Sequence, residues 1–423
     1  MLYLCNVFCV YMCIGVRKII TSILFFSFAL MTKGQDSLSV AERNALQGFN
    51  DTIDREAEDF IRVNLVVCDP GEVLYASFGH AMLRMQCPTF DLDYVFTYES
   101  EDIRYNWSRF LKGQLKMGMF AYNPNGFFEL YRKDGRGVRE YPLNLTPKQE
   151  QNLWRTLEQL AAQGADRPYD YYTHGCAISI VHVVKQALKG QPIEYGEWPA
   201  KFDGTLRELG YECVTKAQKP WSRFVLMTLA GSDIDDPHIS KEKKLIVPAD
   251  LAEVWQHATI DGRPLLSNKA HVLVPSVPTN QQVSFTPLMV SAVLLVLALC
   301  SLATLWMPQR GLQILGEVID YSVLAIVTFI GAIITYTVFF STLPCTNWNW
   351  LIVPFNILPA LAWPWRKYWA LPWSIVIAVW CAVMTGKWLC GHIWVEWAHV
   401  VLAITFAIIL MKQYSRKINL QNI

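Results

Sequence analysis

One cysteine in this chain has the surroundings of a nucleophile. Cys176 follows the aromatic run "YDYYTHGC" and precedes "AISIVHVVKQALKG", in which apolar residues recur at helical spacing. A cysteine attacks an acyl carbon as its thiolate, which needs a neighbouring base or the positive end of a helix. The sequence predicts that Cys176 begins a helix, whose dipole favours the anion. A buried structural thiol fits the same pattern, and spacing alone leaves both interpretations open.

Three histidines are candidates for the base. His182 lies further along the same predicted helix and points elsewhere, and His174 is too close in the chain to curl back with good geometry. His80 follows Gly79 at the head of the predicted strand "HAMLRMQC", a shaped site for a polar residue in an apolar strand. We therefore expect His80 to be the base, although sequence distance does not show that it meets Cys176.

The elements that must position these residues predict an α+β domain. Strands are predicted on both sides of His80, and helices near Cys176. The segment "TPKQEQNLWRTLEQLAAQG" carries strong helix signals: Thr146 as the N-cap, Pro147 at the first helical position and Gly164 at the end.

The C-terminal part of the sequence predicts a bundle of five transmembrane helices. Five apolar segments each approach the length that crosses about 30 Å of hydrocarbon, at residues 286–306, 319–340, 348–365, 370–388 and 393–411. The third segment is short and is interrupted by Pro354 and Pro359. Basic residues fall on one side of the predicted membrane, with Lys387 as the exception, so the positive-inside rule puts the N-terminal domain outside.

The N-terminus carries features of an export signal. Arg17 and Lys18 precede an apolar run and then "TKGQDS", which fits a signal peptide cleaved after Gly34 or an uncleaved anchor. The predicted organisation is a signal peptide or anchor (1–34), a catalytic domain (35–213), an extension and linker (214–284), a membrane domain (285–411) and a cytoplasmic tail (412–423). Two predicted outer loops contain Cys345 and Cys390, which either form a disulfide or remain separate thiols.

The composition argues against two classes of partner. A net charge of +1 with no basic run in the exported part gives no support for binding nucleic acid. No CxxC or histidine-rich spacing suggests a metal ion.

The order of several motifs resembles a known family. "SFGHAMLRMQ", "YVFTYE", "FLKGQL", "YRKDGRGVREYPLNLTPKQEQNL" and "YDYYTHGC" are similar to the N-terminal domain of the Lnb-type bacterial lipoprotein N-acyltransferases. The five apolar segments, including "NWNWLIVPFNILPAL", are similar to the membrane half of that family. The resemblance implies a permuted, NlpC/P60-like and therefore papain-like α+β domain, facing the periplasm and followed by five transmembrane helices in the bacterial inner membrane.

The resemblance also implies an activity and its residues. Cys176 would take an acyl chain from a membrane phospholipid as a thioester, and His80 would act as its base. The acceptor would be the α-amine of a diacylglyceryl-cysteine lipoprotein, in a ping-pong transfer without cofactor. Many relatives have asparagine before the cysteine, where this chain has Gly175. Glu99 or Tyr98 is expected to orient the imidazole.

Two other classes of function stay open on the sequence. A membrane-anchored cysteine peptidase or amidase acting on cell-wall peptide needs the same two residues but passes the acyl group to water. A transporter or scaffold with a degenerate papain-like domain needs neither residue. Arg84, Arg136 and Arg139 are candidates for phosphate contact, or else are solvated surface residues.

Overall fold

A seven-stranded antiparallel sheet forms the centre of the N-terminal part. The computed structural model describes residues 60–170, 172–267, 269–277 and 285–421, so the predictions for residues 1–34 lie outside it. The sheet order is β6-β4-β3-β2-β1-β5-β9. The strands are β1 (Arg62–Cys68), β2 (His80–Cys87), β3 (Leu92–Ser100), β4 (Lys116–Tyr122), β5 (Val138–Pro142), β6 (Ala165–Pro168), β7 (Thr259–Ile260), β8 (Arg263–Pro264) and β9 (His271–Val274).

Within the described part of the N-terminal region, seven helices accompany the strands and confirm the predicted α+β class. They are α1 (Trp107–Lys112), α2 (Pro124–Lys133), α3 (Pro147–Gln163), α4 (Cys176–Ala187), α5 (Leu206–Lys216), α6 (Pro220–Leu229) and α7 (Pro248–Gln256). Helix α3 has the predicted boundaries, because Thr146 and Gln149 form a reciprocal capping box and Gly164 follows the last turn. Cys176 begins α4, as predicted.

Alternating side chains give the sheet two apolar faces. Leu65, Leu83 and Phe96 belong to the larger core, which α3, α4 and α7 cover. Their neighbours Val66 and Met82 point to the opposite face, where α2 packs. This alternation is the physical reason that strands β1 to β3 occupy the middle of the sheet, since both of their faces are buried.

Four long helices of the C-terminal part are apolar and long enough to cross a membrane. The helices of this part are α8 (Pro287–Ala303), α9 (Arg310–Phe340), α10 (Leu358–Leu361), α11 (Arg366–Leu389) and α12 (Trp397–Gln421). The predicted fifth span is not shown as a continuous helix, because residues 348–365 form α10 and short 3-10 turns. Pro354, Pro359 and Pro364 explain this interruption, because proline lacks the N–H and its ring clashes with the preceding helical turn.

The broken segment still connects opposite ends of the bundle. At its start, the Thr342 hydroxyl donates to the Lys112 carbonyl of the N-terminal domain over 2.9 Å. At its end, Arg366 Nε donates to the side chain of Gln413, far along α12. The buried Asn356 side chain donates to the Ile352 carbonyl within the segment, which satisfies backbone that has left helical geometry.

The N-terminal domain packs directly against one end of the membrane helices. An apolar group that we name the interface cluster contains Ile103, Phe110, Leu115, Tyr172, Leu206, Val214, Leu226, Leu229, Ala230, Ile234, Ile246, Val247, Leu343 and Cys345, with Ile333 of α9 packed against it. Polar contacts surround it: Arg223 pairs with Glu396 at 2.6 Å, and the Thr228 hydroxyl bonds His399 Nε2 at 2.8 Å.

An ion pair lies buried at the other end of the bundle. Asp320 of α9 and Lys412 of α12 are 2.8 Å apart, and neither side chain is more than 1% exposed. The Ser301 hydroxyl donates to Asp320 and accepts from Lys412, and Gln413 donates to the second oxygen of Asp320. Every polar group of this cluster is therefore partnered across three helices, which is the condition for burying charge among apolar helices.

Removing one charge of this pair should destabilise the bundle. We expect Asp320→Asn to lower the free energy of unfolding by about 3–5 kcal/mol, because Lys412 keeps a buried charge without its counter-charge. Thermal unfolding of the full-length protein in detergent measures the effect. The double variant Asp320→Asn/Lys412→Met removes both charges and should recover most of the loss. A single variant as stable as the wild type would contradict this account.

Candidate functional site

One pocket contains all four of the predicted site residues. A cavity of about 340 Å³ is lined by His80, Tyr98, Glu99 and Cys176, which come from β2, β3 and the first turn of α4. The volume lies within the usual range of ligand pockets. His80 and Cys176, which are 96 positions apart in the sequence, therefore line the same pocket.

A turn that ends at Gly175 positions Cys176. The buried Asp170 carboxylate accepts the backbone N–H groups of Tyr172 and Thr173 and also the Thr173 hydroxyl. Tyr172 is 1% exposed and packs edge-on against Phe78. Tyr172, which belongs to the aromatic run before Cys176, therefore holds this turn in place by its packing. Sequence analysis missed Asp170, although an aspartate followed by a turn is a known capping pattern.

The two nearer histidines are excluded as partners by their position. His174 is exposed and its Nδ1 bonds the Thr173 hydroxyl at 2.8 Å, and His182 is exposed on the outer side of α4. Neither lines the pocket. His80 does line it, and its role as the base stays a prediction.

Gly79 brings His80 to the start of β2. Its φ of +88° lies in the left-handed region, and a Cβ there would lie 2.5 Å from the Cys68 carbonyl oxygen. Only glycine fits such a close approach. The chain then enters β2 with His80 directly opposite Cys68. The backbone N–H of the next residue, Ala81, hydrogen bonds to the Cys176 sulfur, so the sulfur lies beside the start of this strand.

The side chain that contacts the imidazole is one that sequence analysis passed over. His80 Nε2 lies 2.5 Å from the hydroxyl oxygen of Thr97, which is fully buried. Glu99 accepts a hydrogen bond from the Tyr122 hydroxyl at 2.9 Å, and its orienting role, like that of Tyr98, stays a prediction. A signal was present: in the antiparallel register Met82 pairs with Thr97, so alternation puts Thr97 on the face that carries His80.

Burial keeps both reacting groups uncharged. Burial, followed by the positive charge of Arg136, lowers the pKa of His80 to about 4. Burial also raises the pKa of the Cys176 thiol, against the opposing effect of backbone hydrogen bonds from Ala81 and Ala177 and of Arg136. At neutral pH the pair is therefore a thiol and a neutral imidazole, in which the imidazole can accept a proton.

The other sequence candidates lie in different surroundings. Arg84 is held by Asp93 and Glu140, and Arg139 pairs with Asp69. Neither arginine lines the pocket, whereas Arg136 does. Among the described ranges, no group of three or more metal-ligating side chains is arranged to hold an ion.

The two cysteines predicted in outer loops are not joined by a disulfide. Cys345 is buried in the interface cluster, whereas Cys390 is exposed at the end of α11.

The protonation states predict how Cys176 reacts with an alkylating agent. We expect its rate with iodoacetamide to keep rising from about pH 6 to about pH 9, because thiolate forms only near or above the ordinary cysteine pKa. Mass spectrometry of the peptide that contains Cys176 measures the rate separately from the other cysteines. A rate that is already constant between about pH 5 and about pH 8 would show a preformed thiolate–imidazolium pair instead.

Two family models match the chain in the order of its two parts. The Lnb N-terminal periplasmic domain matches residues 52–201, and the Lnb transmembrane domain matches residues 279–421. Comparison with curated proteins and with solved structures gives no significant match. The first match contains every residue of the pocket described above except Ile246, and the second contains all four long apolar helices. The chain is therefore a membrane protein with a periplasmic domain, and it belongs to the Lnb-type family.

Proposed function

We propose that this protein is a lipoprotein N-acyltransferase of the bacterial inner membrane. Its donor is a membrane phospholipid, its acceptor is the α-amine of a diacylglyceryl-cysteine lipoprotein, and the acyl group passes through a thioester on Cys176. Membership of the Lnb-type family supports a role in lipoprotein processing. The acyl-transfer chemistry is inferred from the site.

The observation that carries the proposal is the continuity between the pocket and the membrane half. Ile103 and Ile246 line the pocket and also belong to the interface cluster, which includes Leu343 and Cys345 at the end of the membrane helices. Phe78 and Tyr169 line the pocket and pack against the same cluster. A substrate whose chains stay in the bilayer can thus reach Cys176 without being extracted, which would cost about 0.8 kcal/mol per buried CH₂.

The first half of the reaction forms the thioester. The Cys176 sulfur attacks the ester carbonyl of the phospholipid while His80 takes the thiol proton. Because Thr97 occupies Nε2, the proton goes to Nδ1. The C–O bond of the ester then breaks, and His80 returns the proton to the leaving oxygen of the lysophospholipid. The backbone N–H of Cys176, at the N-terminus of α4, is the proposed donor to the oxyanion.

The second half transfers the acyl group to nitrogen. The α-amine of the lipoprotein cysteine attacks the thioester carbonyl, and neutral His80 accepts the proton that the nitrogen loses. The C–S bond breaks, an amide remains on the acceptor, and the proton restores the Cys176 thiol. The low pKa of His80 favours the return of the proton in each half, because the protonated imidazole readily gives it to the leaving oxygen or to the sulfur.

A vesicle assay tests the whole proposal. The purified protein, in vesicles of phospholipid with labelled acyl chains, receives a diacylated lipopeptide, and mass spectrometry follows the products. We expect triacylated lipopeptide and lysophospholipid in equal amounts, and neither product with Cys176→Ala. Without acceptor, Cys176 should gain the mass of one acyl chain. Free fatty acid in place of the triacylated product would sink the transferase and favour a hydrolase.

Thr97 should act as a positioning residue for His80. We expect Thr97→Val to lower kcat about 10- to 100-fold with little change in KM, because the ring loses the hydroxyl that fixes its orientation. Thr97→Ser keeps the hydroxyl and is the matched control, which should retain most of the activity. Equal loss in both variants would show that Thr97 contributes packing and not the hydrogen bond.

A further inference from the structure

Arg136 differs from most other arginines of this protein. The following arginines of the described residues lie within ion-pair distance of a carboxylate: Arg84, Arg104, Arg109, Arg132, Arg139, Arg207 and Arg223. In the part of the chain that the structure describes, no carboxylate is paired with Arg136. Asp69, whose carbonyl oxygen accepts from Arg136, has its carboxylate bonded to Arg139 and Ser276.

The guanidinium of Arg136 is nevertheless held in place. Its Nε donates to the Asp69 carbonyl oxygen over 2.8 Å, and its Cζ lies 4.7 Å from the centre of the Tyr131 ring. At Gly71, a Cβ would lie 3.2 Å from Cζ and from Nε. The group is therefore fixed before any ligand arrives, which lowers the entropy that binding must offset.

Most of its donors are unused. Arg136 Nη2 is buried without a hydrogen-bond partner, and the bond from Nε is the one side-chain hydrogen bond of Arg136 that the described residues provide. A guanidinium carries five N–H donors in a fork that matches two oxygens of one anion. A buried cation without a counter-charge costs folding free energy, so an anion that binds here recovers part of that cost.

The positive charge of Arg136 acts on Cys176 and His80. Arg136 lines the same pocket as Cys176 and His80, and its positive charge lowers the pKa of both. The pocket lining contains three acids: Glu101 pairs with Arg109, Asp102 pairs with Arg104, and Glu99 accepts from the Tyr122 hydroxyl. The pocket therefore offers an anion a fixed guanidinium near the sulfur.

We propose that Arg136 binds the phosphate of the glycerophospholipid acyl donor and makes the site selective for phosphate-bearing lipids. The inference rests on the function proposed above and adds its specificity-determining residue. In a glycerophospholipid the phosphate and the scissile ester are separated by only a few bonds of glycerol. A guanidinium that holds the phosphate can therefore bring the ester carbonyl to Cys176.

The test compares two donors that differ in the phosphate. Dipalmitoyl phosphatidylethanolamine and dipalmitoylglycerol carry the same esters, and each is given to the full-length protein in mixed micelles with a diacylated lipopeptide. We expect the wild type to favour the phospholipid in kcat/KM. Arg136→Gln should lower the ratio of kcat/KM for the phospholipid to kcat/KM for the diacylglycerol about 10- to 100-fold, mainly through the KM of the phospholipid, because the effect of its charge on Cys176 and His80 is common to both donors.

Two further variants separate charge from geometry. Arg132→Gln removes the same charge from an exposed position near the end of α2 and should leave the preference for phospholipid intact. Arg136→Lys keeps the charge without the fork and should retain part of the preference. If Arg136→Gln lowers kcat/KM equally for both donors, Arg136 has an oxyanion-stabilising or structural role and the proposal is overturned.

Inorganic phosphate distinguishes the lipid phosphate from a free one. We expect it to compete with the phospholipid in the wild type and not in Arg136→Gln. If phosphate inhibits while the wild type uses both donors equally well, the site binds free phosphate and the proposal is wrong. If neither donor acylates Cys176 at all, the proposed function itself fails, whereas acylation without donor preference removes only the role of Arg136.

Discussion

The contact between the N-terminal domain and the membrane helices is the one on which the rest of this structure depends. The interface cluster is apolar and continuous, and two of its residues, Ile103 and Ile246, also line the pocket. Burial of this surface removes apolar area from water and fixes the pocket at the edge of the membrane half. A domain on a flexible tether would have the same residues but no pocket wall shared with the contact to the membrane helices.

Polar contacts around the cluster restrict how the two parts dock. Glu396 is 5% exposed at the start of α12 and pairs with Arg223 of α6. His399 stacks on Phe224 at 4.4 Å and donates from Nε2 to Thr228, since its Nδ1 accepts the Glu396 N–H. Desolvation offsets much of the attraction in such a buried pair, so the apolar cluster supplies most of the stability. These polar side chains form their ion pair and hydrogen bonds with each other only when the N-terminal domain and the membrane helices dock in this orientation.

The site itself combines neutral reacting groups with a fixed positive charge. Cys176 and His80 are buried enough to stay uncharged at neutral pH, and Thr97 orients the ring without adding a negative charge to it. A carboxylate in that position would raise the pKa of His80 and favour an ion pair with the thiolate. In the proposed reaction the acyl acceptor is an amine that must lose a proton. A neutral imidazole can accept this proton, whereas the imidazolium of an ion pair cannot.

The sequence by itself determined several of the helices and the presence of an apolar C-terminal part. Thr146, Pro147 and Gly164 act through bonds within a few residues, so they specified α3 correctly. Hydropathy found the four long membrane helices for the same reason, because spanning length is a local property. Residues 348–365 do not form the continuous helix that their hydropathy predicts, because three prolines interrupt the backbone.

Only the tertiary structure decided which side chains meet. The partner of His80 is Thr97, an ordinary strand threonine in sequence, because strand register and not spacing determines which side chains face each other. Arg84, Arg136 and Arg139 look alike in the sequence, and they differ in whether a carboxylate is within reach. Whether a carboxylate is near an arginine depends on chain segments far apart in sequence, so no local pattern predicts it. The helix that begins at Cys176, in contrast, was predictable from the residues beside it.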